Sequence, residues 1–252
     1  MNSGLFGTSA SRDLPVVLLV DDDLICREVT ATLLTLRGYT VHSTEDGATA
    51  LNLLDQGALT PKLILMDAQL PGMHGLDLIQ ALKTRINARI VVISGSEGAP
   101  DVIEASDGFL LKPFSAEALV QLMESGDSPT PPMSAGTSEP VLSKETLARF
   151  REIMPEPMVR EIYAAVAADL KERSEALRAA IAKKDATTVR RIGHAIKGGC
   201  GMAGVHQAAR LGALLESESD QLDNSAKVLN DLRAVTQSLE RMLEAEFPVQ
   251  AM

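Results

Sequence analysis

Cysteine is scarce: Cys26 and Cys200 are the two in 252 residues, and both fall in stretches of helical periodicity. A structural disulfide between them is not expected, and a reducing cytoplasm is the compartment that such usage fits. No apolar run reaches the ~18 residues that a membrane span requires. The opening MNSGLFGTSASRD lacks the basic and apolar regions of a secretory signal. Positive charge is in short supply as well. Lys and Arg number 24 against 34 Asp and Glu, a formal net charge of −10, which argues against nucleic acid as a partner because phosphate contacts need clustered cations. Also missing are Cys/His metal spacing, a G-x4-G-K-[ST] phosphate loop and a G-x-G-x-x-G turn after a strand. These absences exclude recognisable ATP or dinucleotide sites, and the chain is not read as an enzyme with a kinase domain of its own.

What is present divides at a seam. SGDSPTPPMSAGTSEP, Ser125 to Pro140, holds four prolines and two glycines and almost nothing apolar. Such a segment cannot pack a core and reads as a flexible linker. The expected organisation is a disordered N-terminus over 1–13, one domain over 14–124, a linker over 125–142 and a second domain over 143–247.

Before the seam, continuous apolar runs alternate with helical patterns. PVVLLV (Pro15 to Val20), LILM (Leu63 to Met66), RIVVIS (Arg89 to Ser94) and GFLL (Gly108 to Leu111) read as strands buried on both faces, and YTVHST (Tyr39 to Thr44) as a weaker one. Helical stretches such as Ile25 to Arg37 and Leu76 to Lys83 lie between them. The alternation implies an α/β, doubly wound, flavodoxin-like (βα)5 domain with a parallel sheet. After the seam there is no strand signal. Met158, Ile162, Val166, Leu170, Leu177 and Ile181 recur at helical spacing, as do Leu229, Leu232, Val235, Leu239 and Met242. Ser143 and Asp185 suit N-caps, and Pro155 and Pro157 a helix start. An all-α up-and-down helical bundle follows.

In a doubly wound sheet, ligands sit beyond the carboxyl ends of the strands. The first strand here ends in Asp21, Asp22 and Asp23, the third in Asp67, the fourth in Ser94 and the fifth in Lys112. Converging carboxylates repel unless a cation neutralises them. Mg2+ suits such a set, with Mn2+ able to take its place, because it accepts carboxylate oxygens and bridges to phosphate. A hydroxyl and an ammonium beside it can hold the oxygens of a phosphoryl group.

The second domain carries a run that is odd for a helix. RRIGHAIKGGCGMAGV, Arg190 to Val205, contains five glycines, each unfavourable in a helix interior by about 1 kcal/mol. On a helical wheel Val189, Ile192, Ile196, Cys200 and Ala203 form one stripe, and His194 stands opposite with Arg190, Lys197, Gly198 and Gly201 around it. An imidazole on the solvent face, with Gly198 clearing the space one turn away and cations nearby, is expected to receive a phosphoryl group. On this reading the glycines serve access.

VLLVDDD, MDAQLPGMHG, VVISG and LLKPF resemble, in order, the strand-end motifs of the receiver domain of two-component response regulators. That resemblance implies Asp67 as phospho-acceptor, Asp21 and Asp22 as Mg2+ acids with the Gln69 carbonyl as a further ligand, Ser94 as switch hydroxyl, Lys112 as phosphate contact and Phe109 as switch aromatic. Asp23 reads as a helix cap. The stretch GSEGAPDVIEASD before the fifth strand is about one helical turn shorter than the family pattern, so the fourth helix is expected to be stunted. HAIKGGCGMAGV resembles the H-x-x-K-G signature of histidine phosphotransfer (HPt) domains, and the later ARLGALLE fits it too. This second resemblance implies His194 as acceptor, Lys197 as its electrostatic support and Gly198 as clearance.

The implied protein is a cytoplasmic phosphorelay intermediate without a DNA-binding output. Its partners would be a sensor histidine kinase and a downstream or hybrid receiver, with neither nucleic acid nor membrane. Transfer between Asp67 and His194 is allowed in cis or in trans, since a 16-residue linker spans up to roughly 50 Å when extended. A binding switch, in which phosphorylation of Asp67 repositions the bundle, and a phosphate sink are the alternatives.

Overall fold

The computed structural model describes residues 15–95, 100–114, 116–125 and 141–247. The expected N-terminal segment 1–13 and most of the expected linker lie outside the described residues. The first domain alternates β1 (Val16–Val20), α1 (Leu24–Leu36), β2 (Thr40–Thr44), α2 (Gly47–Asp55), β3 (Leu63–Asp67), α3 (Gly75–Arg85), β4 (Arg89–Ser94), α4 (Pro100–Ala105), β5 (Phe109–Leu111) and α5 (Ala116–Ser125). All pairings are parallel, in the order β2-β1-β3-β4-β5. Apart from Arg89, which opens β4, the central strands β1, β3 and β4 are apolar until their carboxyl ends, because helices cover both faces. Val17 to Val20 and Ile64 to Met66 are completely buried.

Register then fixes where the polar residues emerge. Val20 pairs with Thr44 and Met66, Asp67 with Ile93, and Ser94 with Leu111. Asp21, Asp67, Ser94 and Lys112 therefore leave the sheet at one edge. Asp23 turns the chain into α1: its Oδ1 accepts from the Cys26 N–H at 2.8 Å, satisfying one of the open amides of the first turn. The fourth helix is six residues long, as the short stretch ahead of β5 requires.

The second domain is helical throughout its described residues: α6 (Lys144–Ile153), α7 (Glu156–Ala182), α8 (Ala186–Met202), α9 (His206–Ser217) and α10 (Leu222–Glu246). Ser143 Oγ accepts from the Thr146 N–H at 3.2 Å and Asp185 Oδ1 from the Thr188 N–H at 3.0 Å, the two caps expected. Packing starts before Ser143, for Leu142 at the end of the expected linker is buried in the core. The apolar face of α7 is turned slightly from the predicted stripe. Met158 is 38% exposed while Val159 is fully buried, and Val159, Ile162, Tyr163 and Val166 face the core. Tyr163 explains the turn: its ring meets Phe150 of α6 with centroids 6.0 Å apart, a separation favourable for aromatic pairs.

The two domains touch. Helices α7 and α8 pack against α1, and one continuous cluster of buried apolar side chains runs from Val17, Leu19 and Cys26 of the first domain to Leu170, Ile196 and Cys200 of the second.

Candidate functional site

At the sheet edge, Asp21, Asp67 and Lys112 are almost wholly buried. Lys112 Nζ donates to Asp21 Oδ2 at 2.8 Å and to Asp67 Oδ2 at 2.5 Å. The remaining carboxylate oxygens accept from backbone: Asp21 Oδ1 from the Asp23 N–H at 2.9 Å and Asp67 Oδ1 from the Gln69 N–H at 2.7 Å. Burial is the largest influence on Asp21 and pushes its carboxyl up to about 7, against the pull of Lys112. Burial also opposes the Lys112 ammonium, yet Asp21 and Asp67 together hold it well above the usual lysine range. Oxygens of Asp21, Asp22 and Asp67 all lie within 4.8 Å of one another. Three carboxylates around one ammonium leave negative charge over, and an oxygen-only set of this kind fits a hard divalent cation. Asp22 is the exposed member of the three and lines the cavity, so the carboxylate cluster is reached from that side.

Ser94 is buried at the end of β4, and its carbonyl accepts from the Lys112 N–H at 2.7 Å, which places the two side by side. Phe109 is half-buried against the apolar cluster on the α3 and α4 side of the sheet.

His194 sits on α8, above this edge. Its Nδ1 lies 2.8 Å from Glu216 Oε1 of α9, and Lys197 Nζ lies 3.1 Å from Glu216 Oε2. Burial opposes ionisation of Glu216, but the hydrogen bonds from His194 and Lys197 outweigh it and hold the carboxyl below its ordinary range. An ionised carboxylate only accepts, so the ring proton belongs on Nδ1 and the lone pair on Nε2.

The histidine is not on an open solvent face as predicted: its side chain is 16% exposed because the first domain covers it. A Cβ built on Gly95 would lie 3.2 Å from His194 Cε1 and 3.7 Å from Nε2, so the ring rests on the backbone just after Ser94. One cavity of about 510 Å3 is lined by Asp22, Asp67 and Lys112 on one side and Arg191, His194 and Gly198 on the other, with Gln69 at its wall.

Arg190, the predicted cation, is exposed and is not among the residues that line the cavity, whereas Arg191 is. At about 100° per residue, Arg191, Ala195 and Gly198 fall to one side of His194, and Arg190, Lys197 and Gly193 to the other. The first domain covers the former flank and α9 the latter. The glycines split the same way. A Cβ on Gly193 would stand 2.6 Å from the Glu216 backbone nitrogen, and one on Gly212 2.6 Å from that of Lys197. That pair brings α8 and α9 into backbone contact, which is packing rather than access. Gly198, Gly199 and Gly201 instead face Cys26, Asp23 and Pro113 of the first domain. Sequence reasoning assigned no role to Glu216, although ARLGALLE contains both Gly212 and Glu216 at i, i+4, the same spacing as Gly193 and Lys197. That shared spacing is the signal that was available.

Residues 17–124 match the family model of the response regulator receiver domain, and residues 161–245 that of the Hpt domain. Similar curated proteins include the DNA-binding response regulator MtrA of Mycolicibacterium smegmatis, 30% identical over 132 residues, 49% of this chain and 57% of that protein. Another is the alkaline phosphatase synthesis transcriptional regulatory protein SphR of Synechococcus elongatus, 31% identical over 116 residues, 41% of this chain and 45% of that protein. The chain thus spans about half the length of these relatives. Among solved structures, a CheY-like receiver domain from Methylobacillus flagellatus aligns at 24% identity with a TM-score of 0.41, over 45% of this chain and 99% of that one. A Burkholderia pseudomallei response regulator with a phosphorylated aspartic acid, calcium ion and citrate aligns at 28% identity and 0.41, over 44% and 68%. No helix among the described residues is long and apolar enough to cross a membrane. The chain joins a response regulator receiver domain to an Hpt domain, a pairing that points to two-component phosphorelay signalling.

Proposed function

We propose that this chain is a phosphorelay intermediate in which Asp67 and His194 exchange a phosphoryl group within one molecule. The observation that carries the reading is the shared cavity, with the acid and its lysine on one wall and the histidine on the other. The donor to Asp67 would be a phosphohistidine on a sensor kinase, and the final acceptor the aspartate of another receiver. A reducing cytoplasm suits the two buried free thiols.

Asp21, Asp22, Asp67 and the Gln69 carbonyl are the groups that would hold Mg2+, which when bound offsets charge on the phosphoryl oxygens. In the internal step, the Nε2 lone pair of His194 attacks the phosphorus of phospho-Asp67. The N–P bond forms as the acyl O–P bond breaks, and the freed carboxylate returns to Lys112 and the Gln69 N–H. No proton need leave the ring. Nδ1 keeps its hydrogen, and the Glu216 carboxylate balances the positive charge that the ring acquires. In reverse, the same retained proton lets His194 depart as neutral imidazole. The surfaces are close at Gly198: a Cβ there would make ordinary contact with Lys112 Cδ at 3.7 Å and Cys26 Sγ at 3.5 Å, so a side chain longer than alanine's would push them apart.

The test is phosphoryl tracing with a small-molecule phosphodonor and Mg2+, reading acid and base lability in wild type, Asp67→Ala and His194→Ala. Label is expected on His194 only when Asp67 is present. Label that stays on Asp67 in the wild type would remove the internal step and leave a switch.

A further inference from the structure

We infer that Arg173 and Asp23 form a latch by which this chain's Hpt bundle recognises its own receiver in preference to other phosphotransfer partners. The contact joins residues 150 positions apart: Arg173 Nη2 on α7 donates to Asp23 Oδ2 at 2.7 Å. The same guanidinium donates through Nε to Asp169 Oδ2 at 2.6 Å. Asp23 is 6% exposed, and the Arg173 side chain 19%.

The acidic run thereby divides its work. Asp21 and Asp22 contribute oxygens to the cation site, whereas Asp23 uses Oδ1 to cap α1 and Oδ2 to hold the bundle. The bundle is shaped to the same residue from a second helix. A Cβ on Gly199 would stand 2.8 Å from Asp23 Oδ1 and 3.1 Å from Ile25 Cβ, so only a bare backbone lets α8 reach the start of α1. Arg173 from α7 and Gly199 from α8 thus grip one aspartate, beside the cavity that Asp67 and His194 share.

Charge makes the contact selective. Without the guanidinium, Asp23 and Asp169 would face each other across a partly buried seam, and removing one partner of a buried pair leaves an uncompensated charge. A bundle lacking an arginine here would bury the Asp23 carboxylate with no cation to offset its desolvation. With the latch closed, α1 and the histidine face are both covered, so the kinase donor and the outside receiver reach Asp67 and His194 only while the latch is open.

The inference rests on the proposed transfer for its consequence, though not for the docking itself, and the experiment separates the two. Docking is read in the full chain by alkylation of Cys26, which is fully buried and lies beneath Gly198. Transfer is read by comparing internal phosphate movement with exchange between Asp67→Ala and His194→Ala chains, each carrying wild-type Arg173 or Arg173→Ala. Arg173→Ala is expected to speed Cys26 alkylation on the order of tenfold, slow internal transfer and raise exchange between chains. Arg173→Lys, which keeps the charge and loses the fork that bridges two acids, should fall between. Unchanged alkylation and an unchanged internal-to-external ratio in Arg173→Ala would overturn the latch. So would rapid exchange between the two singly disabled wild-type-latch chains, since the bundle would then be docking on a second copy. If no label reaches His194 in any variant, the transfer proposal fails while the alkylation result still decides the latch.

Discussion

His194 Nδ1 and Glu216 Oε1 are 2.8 Å apart, and the second oxygen of that carboxylate holds Lys197. Glu216 therefore sets the tautomer of the acceptor and ties down the lysine expected to support it. Glu216→Ala should slow phosphorylation of His194 by roughly tenfold to a hundredfold, with less effect in Glu216→Gln, whose amide oxygen still accepts from Nδ1. Rates of phosphohistidine formation in the three proteins measure this. Equal rates would show that Glu216 does not position the ring.

The same carboxyl gives a signature on acidification. Against the effect of burial, the hydrogen bonds from His194 and Lys197 hold its folded-state pKa below the ordinary glutamate range. The stability that it contributes is present above the unfolded value and is lost as pH falls through the lower, folded one. Thermal unfolding of wild type and Glu216→Gln should therefore differ most near neutrality and converge in acid. A gap that widened on acidification would reverse the assigned direction.

Gly193 and Gly198 are predicted to respond differently to one added methyl group. In Gly193→Ala the new carbon meets the backbone of α9 at 2.6 and 2.7 Å, which cannot rotate away, so α8 and α9 must separate. A loss of about 1–3 kcal/mol is expected from such overpacking. Gly198→Ala encounters nothing nearer than 3.5 Å and should leave folding unchanged or gain slightly in helix propensity. Chemical denaturation of both variants settles the comparison.

Mg2+ should stabilise the protein through Asp21, Asp22 and Asp67. A ligand that binds only the folded state adds about 2.7 kcal/mol at a hundred times its Kd. Asp22→Asn is the informative variant, because Asp22 is exposed and its loss does not disturb the core. Its fold should persist in chelator while the Mg2+-dependent rise in Tm shrinks. An undiminished rise would remove Asp22 from the cation site.

Much of this architecture was readable from local pattern. The central strands of the receiver announced themselves because both faces are buried, and β4 has the bounds predicted, Arg89 to Ser94, whereas β2, mostly exposed, gave the weaker signal. The polar residues at strand ends could be grouped from topology alone, as Lys112 between Asp21 and Asp67 illustrates. What escaped were relationships between helices distant in sequence. Nothing near Gly193 reveals that Gly212 faces it, so a packing glycine passed for an access glycine. Asp23 was correctly read as a cap from its neighbours, but its second oxygen is claimed by Arg173, whose position depends on how two domains meet. Arg190 and Arg191 differ by one residue and about 100°, and only the placement of the receiver decides which of them borders the cavity.

The apolar cluster that passes from Val17 and Cys26 to Ile196 and Leu170 has a calorimetric corollary. Domains that share buried surface lend each other stability, and heat removes that surface once. The chain should accordingly melt in a single endotherm whose calorimetric and van't Hoff enthalpies agree, rather than in the two steps of independently tethered domains. Injury to either half then travels: weakening the contact of α8 with α9 lowers the temperature at which the five-stranded sheet itself gives way.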